Sequence, residues 1–166
     1  MPKRSGSTHK DGEDGDDEEG MMKSAEYICG LIDLEIESGV PADRIIVGGF
    51  SQGCAIALLV GLLSRYQGRL GGVMGLSGYL PLQKKTSKIM GARNEEMKTS
   101  STTKWFLAHG SRDQLVPKRL FMSYVEQMKL WEGGVEDRVY EGMGHESWGV
   151  EVGDLCGWLE GRLGDG

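Results

Sequence analysis

The segment RIIVGGFSQGCAIALLVGLL, Arg44 to Leu63, constrains the fold more than any other part of the chain. It opens with a β-branched run, Ile45 to Val47, passes through Gly48, Gly49, Ser51 and Gly53, and continues from Cys54 to Leu63 with apolar residues on nearly every face. A short apolar run without alternation is expected of a strand covered on both faces. A helix that is apolar all round is expected to be buried between a sheet and other helices. Joining the two through G-x-S-x-G predicts the tight strand-to-helix turn that lifts a serine above a sheet.

The rest of the chain repeats the alternation. Ala25, Ile28, Ile32 and Ile36 recur at helical spacing, Gly39 is placed to end that helix, and Pro41-Ala42-Asp43 turns the chain into the strand RIIVGG. LGGVMGLSG reads as a second strand, KWFLAHG as a third and EDRVYEG as a fourth. PKRLFMSYVEQMKLW is a predicted helix with Leu120, Tyr124 and Met128 on one face, and VEVGDLCGWLEGRL a last helix striped by Val152, Leu155 and Leu159. The polar stretch from Gln83 to Thr103 has no clear period and is expected to be a surface excursion. Strands alternating with helices predict a parallel sheet covered on both faces, with ligands at the carboxyl ends of the strands. Ser51, the loop after His109 and the loop after Glu141 then share one edge.

Composition narrows the function classes. Met1 to Gly20, ending in DGEDGDDEEG, is too polar to offset the entropy of ordering and is expected to be a disordered acidic lead-in, with residues 21–166 forming the domain. Its acidic run lacks the fixed spacing of a calcium loop. A formal net charge of -6, from 25 acidic and 19 basic residues, argues against a nucleic-acid footprint. The three cysteines, Cys29, Cys54 and Cys156, have no C-x-x-C spacing, so neither a disulfide framework nor a zinc site is implied, and a reducing compartment, the cytoplasm or the nucleus, is expected. No apolar run is long enough to span a bilayer.

A serine hydroxyl needs a base to take its proton, and that base needs a third group to hold its tautomer. HGSRDQLVP places Asp113 just past the third strand, and EGMGHESW places His145 just past the fourth. The order Ser, Asp, His is that of the α/β-hydrolases. Each residue alone has a plainer reading: a chance motif in a chain with 27 glycines, a turn aspartate, a loop histidine. Their order and placement together favour Ser51, Asp113 and His145 as a catalytic set. His109, beside Gly110, is better read as making a structural hydrogen bond, and Cys54 as a small buried residue.

GGFSQGCA, GLSGYLPL, HGSRDQLVP and EGMGHES resemble the motifs of the acyl-protein thioesterase and carboxylesterase branch of the α/β-hydrolases, from about Gly20 to near the end of the chain. The resemblance implies hydrolysis of S-acyl thioesters and carboxylic esters, with S-acylated proteins or small acyl esters as substrates and no metal or organic cofactor. It makes Ser51 the nucleophile, His145 the base, Asp113 its orienting partner and the backbone N–H of Gln52 an oxyanion donor. Tyr79, Leu80 and Leu82 are candidates for an acyl groove, or equally for a loop packed onto the core. Cys54 stands where the family pattern has glycine. Family members begin with several strands and a glycine-containing HG loop ahead of the first helix found here, so the expected fold is a partial α/β-hydrolase, lacking its first strands. That loop would carry a second oxyanion donor. The strand RIIVGG is then left with an open edge, a template for self-association, and a catalytically impaired, partner-binding or unstable fragment stands as the alternative to an active hydrolase.

Overall fold

The structure, a computed structural model, describes residues 17–93 and 95–163. Four parallel strands form one sheet in the order β1 (Ile46–Phe50), β2 (Gly72–Leu76), β3 (Lys104–Gly110) and β4 (Val135–Tyr140). The connections between them carry α2 (Gln52–Leu63), α3 (Gln83–Gly91), α4 (Glu95–Thr99) and α5 (Lys118–Trp131), while α1 (Glu18–Glu37) precedes the sheet and α6 (Gly149–Leu163) follows it. Each predicted strand is present, and the sheet with its flanking helices is an α/β-hydrolase-like fold.

The period of a strand divides the core in two. Along β3, Trp105 and Leu107 face a cluster built with α1, α2 and α5, whereas Phe106 and Ala108 face the opposite side, where Leu155 and Trp158 of α6 cover them. In α2, Ala57, Leu58, Leu59, Val60 and Leu62 are all buried, so the helix with least polarity in the sequence sits where two layers meet it. Each such leucine contributes about 1.5–3 kcal/mol of burial energy.

Four sequence expectations change. Helix α1 begins at Glu18, inside the predicted lead-in, because the Asp17 side chain accepts the Gly20 N–H at 2.9 Å and supplies an N-cap. Residues 1–16, the bulk of that lead-in, lie outside the described residues. The polar stretch from Gln83 holds the helices α3 and α4; Thr86 and Met90, one turn apart, are buried, too short a stripe to register as a period among so many polar residues. In α6, Val152 is exposed and Trp158 buried, so the stripe runs through Glu151, Leu155 and Trp158. In α5, Leu120 is only half-buried, and Phe121, Tyr124, Val125 and Met128 form the inward face.

Candidate functional site

The strand β1 runs into α2 with one residue between them, and that residue is Ser51, at φ 55° and ψ −118°. A left-handed φ in a residue with a Cβ costs on the order of 1–3 kcal/mol and persists only where its surroundings over-determine it. Here they do. The Ser51 N–H donates to the Leu76 carbonyl at 2.8 Å, tying the turn to the end of β2. A Cβ on Gly49 would overlap the Gly53 carbonyl, and one on Gly78 would overlap Cys54. Gly49 of the motif and Gly78 after β2 are therefore a packing requirement: at these two positions the strand, the turn and the first turn of α2 approach more closely than side chains allow.

His145 follows β4 and Asp113 follows β3, and both reach Ser51 across the carboxyl ends of the strands. His145 donates through Nδ1 to Asp113 Oδ2 at 2.7 Å, which leaves Nε2 to accept the Ser51 hydroxyl at 3.0 Å. The other oxygen of Asp113 accepts the N–H groups of Leu115 at 2.9 Å and Val116 at 2.8 Å. Asp113 is thus both the turn aspartate of the plainer reading and the partner of His145. The arrangement is competent to move a proton from Ser51 to His145 while Asp113 fixes the imidazole tautomer.

His109, wholly buried, supports this loop from beneath: its Nε2 donates to the Val116 carbonyl at 2.8 Å, and its ring stacks on Phe121 with centroids 4.9 Å apart. Its Nδ1 is buried without a partner, and burial holds the imidazole below its usual pKa. Sequence reading missed Phe50, whose ring centroid lies 4.9 Å from that of His145. The signal available was position alone, immediately before the serine.

Gln52 is the first residue of α2, where backbone N–H groups have no intrahelical acceptor, so its N–H is available to an oxyanion above Ser51. Cys54 is fully buried, and burial pushes its thiol up to about 12, which removes it as a nucleophile near neutrality. Leu80 lies in the main core, with Tyr79 and Leu82 packed against it, so these three meet the core in this structure. Among the described residues, no three His, Cys, Asp or Glu side chains are grouped to hold a metal ion. No described helix is long and apolar enough to cross a membrane.

Comparison with known proteins follows from this geometry. Residues 7–161 match the model of the phospholipase/carboxylesterase family. Acyl-protein thioesterase 1 of Yarrowia lipolytica is 38% identical over 148 residues, which cover 87% of this chain and 61% of that protein. Acyl-protein thioesterase 1 of Aspergillus fumigatus is 37% identical, covering 87% of this chain and 58% of that protein. The chain thus spans about three fifths of the length of these curated relatives. Among solved structures, SOBER1 of Arabidopsis thaliana superposes with a TM-score of 0.76 at 29% identity, covering 90% of this chain and 67% of that one. Acyl-protein thioesterase 2 of Zea mays gives a TM-score of 0.74 at 28% identity, with coverages of 92% and 71%.

Proposed function

This chain belongs to the phospholipase/carboxylesterase family of hydrolases, and we propose that it is a serine hydrolase of acyl-protein thioesterase type, with Ser51, His145 and Asp113 as its catalytic triad. Ser51 attacks the acyl carbonyl as His145 takes its proton, the thiol or alcohol leaves with that proton, and the acyl group stays on Ser51. Water, deprotonated by His145, then releases the acid and restores the serine. The Gln52 N–H stabilises the tetrahedral oxyanion at both steps. Substrates are S-acylated proteins or small acyl esters, in keeping with the names of the relatives and with a nucleophile that needs no cofactor. The three unpaired cysteines suit a reducing compartment, the cytoplasm or the nucleus.

The observation that carries this reading is the continuous relay from Ser51 through His145 to Asp113, at 3.0 and 2.7 Å, on a turn held in a left-handed conformation. The test is fluorophosphonate labelling of the purified chain beside Ser51→Ala, with circular dichroism to establish folding. Labelling of the wild-type chain that vanishes in Ser51→Ala, followed by turnover of an S-palmitoyl peptide, is the expected result. A folded chain that does not label would overturn it.

A second reading has an observation of its own. β1 pairs with β2 alone among the described strands, so the strand that carries the nucleophile is an edge strand. Such an edge offers backbone groups to another chain, and a folded chain without turnover would then act by binding a lipid or a protein partner.

A further inference from the structure

The strand β3 ends in Ala108, His109 and Gly110, and its alternation puts His109 on the face of Trp105 and Leu107, where its ring stacks on Phe121 of α5. Four residues on, Asp113 returns to that ring. His109 Nε2 lies 2.8 Å from the Val116 carbonyl and 3.6 Å from Asp113 Oδ2, the same oxygen that takes His145 Nδ1 at 2.7 Å. One carboxylate oxygen therefore sits between two imidazoles. Neither the His109 nor the Asp113 side chain has exposed surface, so water does not share in these contacts from outside.

Only one protonation state of His109 suits these surroundings. With its proton on Nε2 the ring donates to Val116 and turns a donor edge toward Asp113. With the proton on Nδ1, a bare Nε2 would face two acceptors and the Nδ1–H would be buried without one. The titratable groups facing the ring are Asp113 of its own loop and His145 of the loop after β4. Phe121 on α5 and Ser77, one position past the pair formed by Leu76 and Ala108, are uncharged, and the buried Ser77 hydroxyl makes no hydrogen bond. Burial holds the imidazole below its ordinary pKa, which favours the neutral ring.

Val116 transmits the contact. Its carbonyl accepts from His109 while its N–H donates to Asp113 Oδ1 at 2.8 Å, so the ring, the peptide and the carboxylate form one chain of hydrogen bonds that fixes the rotation of the carboxyl group. We propose that His109 is a positioning residue of the relay: as a neutral Nε2–H imidazole it acts through Val116 to aim Asp113 Oδ2 at His145 and leaves the charge of that oxygen to His145 alone. This inference rests on the hydrolase reading for its consequence in rate, but the two imidazoles are observed without any turnover.

The experiment records imidazole 1H–15N spectra of the wild-type chain, His109→Gln and His109→Leu, with fluorophosphonate labelling rates measured on the same samples. Wild-type His109 is expected as the neutral Nε2–H tautomer at every pH where labelling is fast, with the His145 Nδ1–H proton far downfield. In His109→Leu, labelling at saturating probe is expected to slow at least about tenfold with the half-saturating concentration unchanged, and the His145 proton to shift or vanish in the folded molecules. His109→Gln, which returns an N–H to the Val116 carbonyl, is expected to recover most of that rate. A leucine variant that labels like wild type overturns the proposal. So does one that labels slowly with the His145 proton unmoved, which would make the role of His109 structural, and so does a glutamine variant no better than leucine. Should neither variant fold, the wild-type spectrum decides, since an Nδ1–H tautomer overturns the proposal and an Nε2–H tautomer supports it. Spectra as expected in a chain whose Ser51 does not label would count against the hydrolase reading only.

Discussion

Asp113 divides its two carboxylate oxygens between His145 and its own loop, with Oδ2 facing His145 Nδ1 at 2.7 Å and Oδ1 gathering the N–H groups of Leu115 and Val116. The division allows the two roles to be separated by one substitution. In Asp113→Asn the amide oxygen can keep the two backbone N–H groups, while the amide nitrogen turns toward His145. Two donors then meet, and the imidazole is driven to the tautomer that cannot accept from Ser51. Fluorophosphonate labelling is expected to slow by about 10³–10⁴-fold with little change in the thermal midpoint. A parallel loss of folding would show that the carboxylate charge itself holds the loop.

Gly49→Ala tests the turn from the other side. The added methyl meets the Gly53 carbonyl, a backbone group that cannot swing away as a side chain can. Overpacking of this kind costs about 1–3 kcal/mol, and relief by separating β1 from α2 moves Ser51 off His145, where a 1 Å displacement is worth ~10² in rate. Labelling is expected to fall by at least that factor, with a lower thermal midpoint. Gly53→Ala, whose Cβ would meet open space, is expected to lose less of both.

The contrast between these glycines shows what was legible in the sequence and what was not. The β1–Ser51–α2 unit was readable because its chemistry is local: a β-branched run, three glycines at fixed spacing and an apolar helix fall within twenty consecutive residues. Asp113 and His145 were readable because a parallel sheet brings the carboxyl ends of its strands to one edge. The helix α3 was not, because its inward face is Thr86 and Met90, and only the tertiary packing distinguishes these from a polar loop. The Phe50–His145 ring contact was hidden for the same reason, 95 positions separating the two rings along the chain. Trp158 replaced Val152 in the buried stripe of α6 because the helix presents a face offset by one residue to Phe106, 5.8 Å away ring to ring.

The buried imidazole of His109 sets a pH dependence of stability. Burial lowers its folded pKa below the unfolded value near 6.5, so between the two values the unfolded chain binds more protons than the folded one. Stability therefore rises with pH across that window, is full above it, and is lost as acidification drives a proton onto Nδ1, which is buried without a hydrogen-bond partner. Urea midpoints of the wild-type chain are expected to fall between pH 7 and pH 5. His109→Gln keeps an N–H for the Val116 carbonyl but cannot titrate, so its profile is expected to be flatter; an identical slope would place the acid sensitivity elsewhere.

Thiol chemistry separates the three cysteines. Cys54 has no exposed surface and a thiol held near 12, and burial likewise raises the Cys29 thiol above its ordinary value, whereas Cys156 is exposed on α6. Alkylation follows the accessible thiolate. Iodoacetamide at pH 8 is expected to add one carbamidomethyl group to the native chain, at Cys156, and three after denaturation. Native modification of Cys54 would mean that the α2 layer behind Ser51 opens.

Glu151 carries the opposite sign. It stands in the first turn of α6, six positions past His145, with no exposed surface and neither carboxylate oxygen in a hydrogen bond; only the Ser147 hydroxyl lies near enough to favour its charge. Burial raises its pKa, so the folded chain holds the proton to higher pH than the unfolded chain does. Its contribution to stability is present below the ordinary carboxyl range and is lost as pH rises through the raised value. Glu151→Gln removes the charge and keeps the shape, and the variant is expected to melt higher than wild type at pH 7, with the gap closing toward pH 4. Fluorophosphonate labelling is expected to persist, because the relay from Ser51 to Asp113 does not pass through Glu151. A variant that melts lower at pH 7 would mean that the carboxylate is ionised and held by a partner, as a capping group on the α6 amides would be.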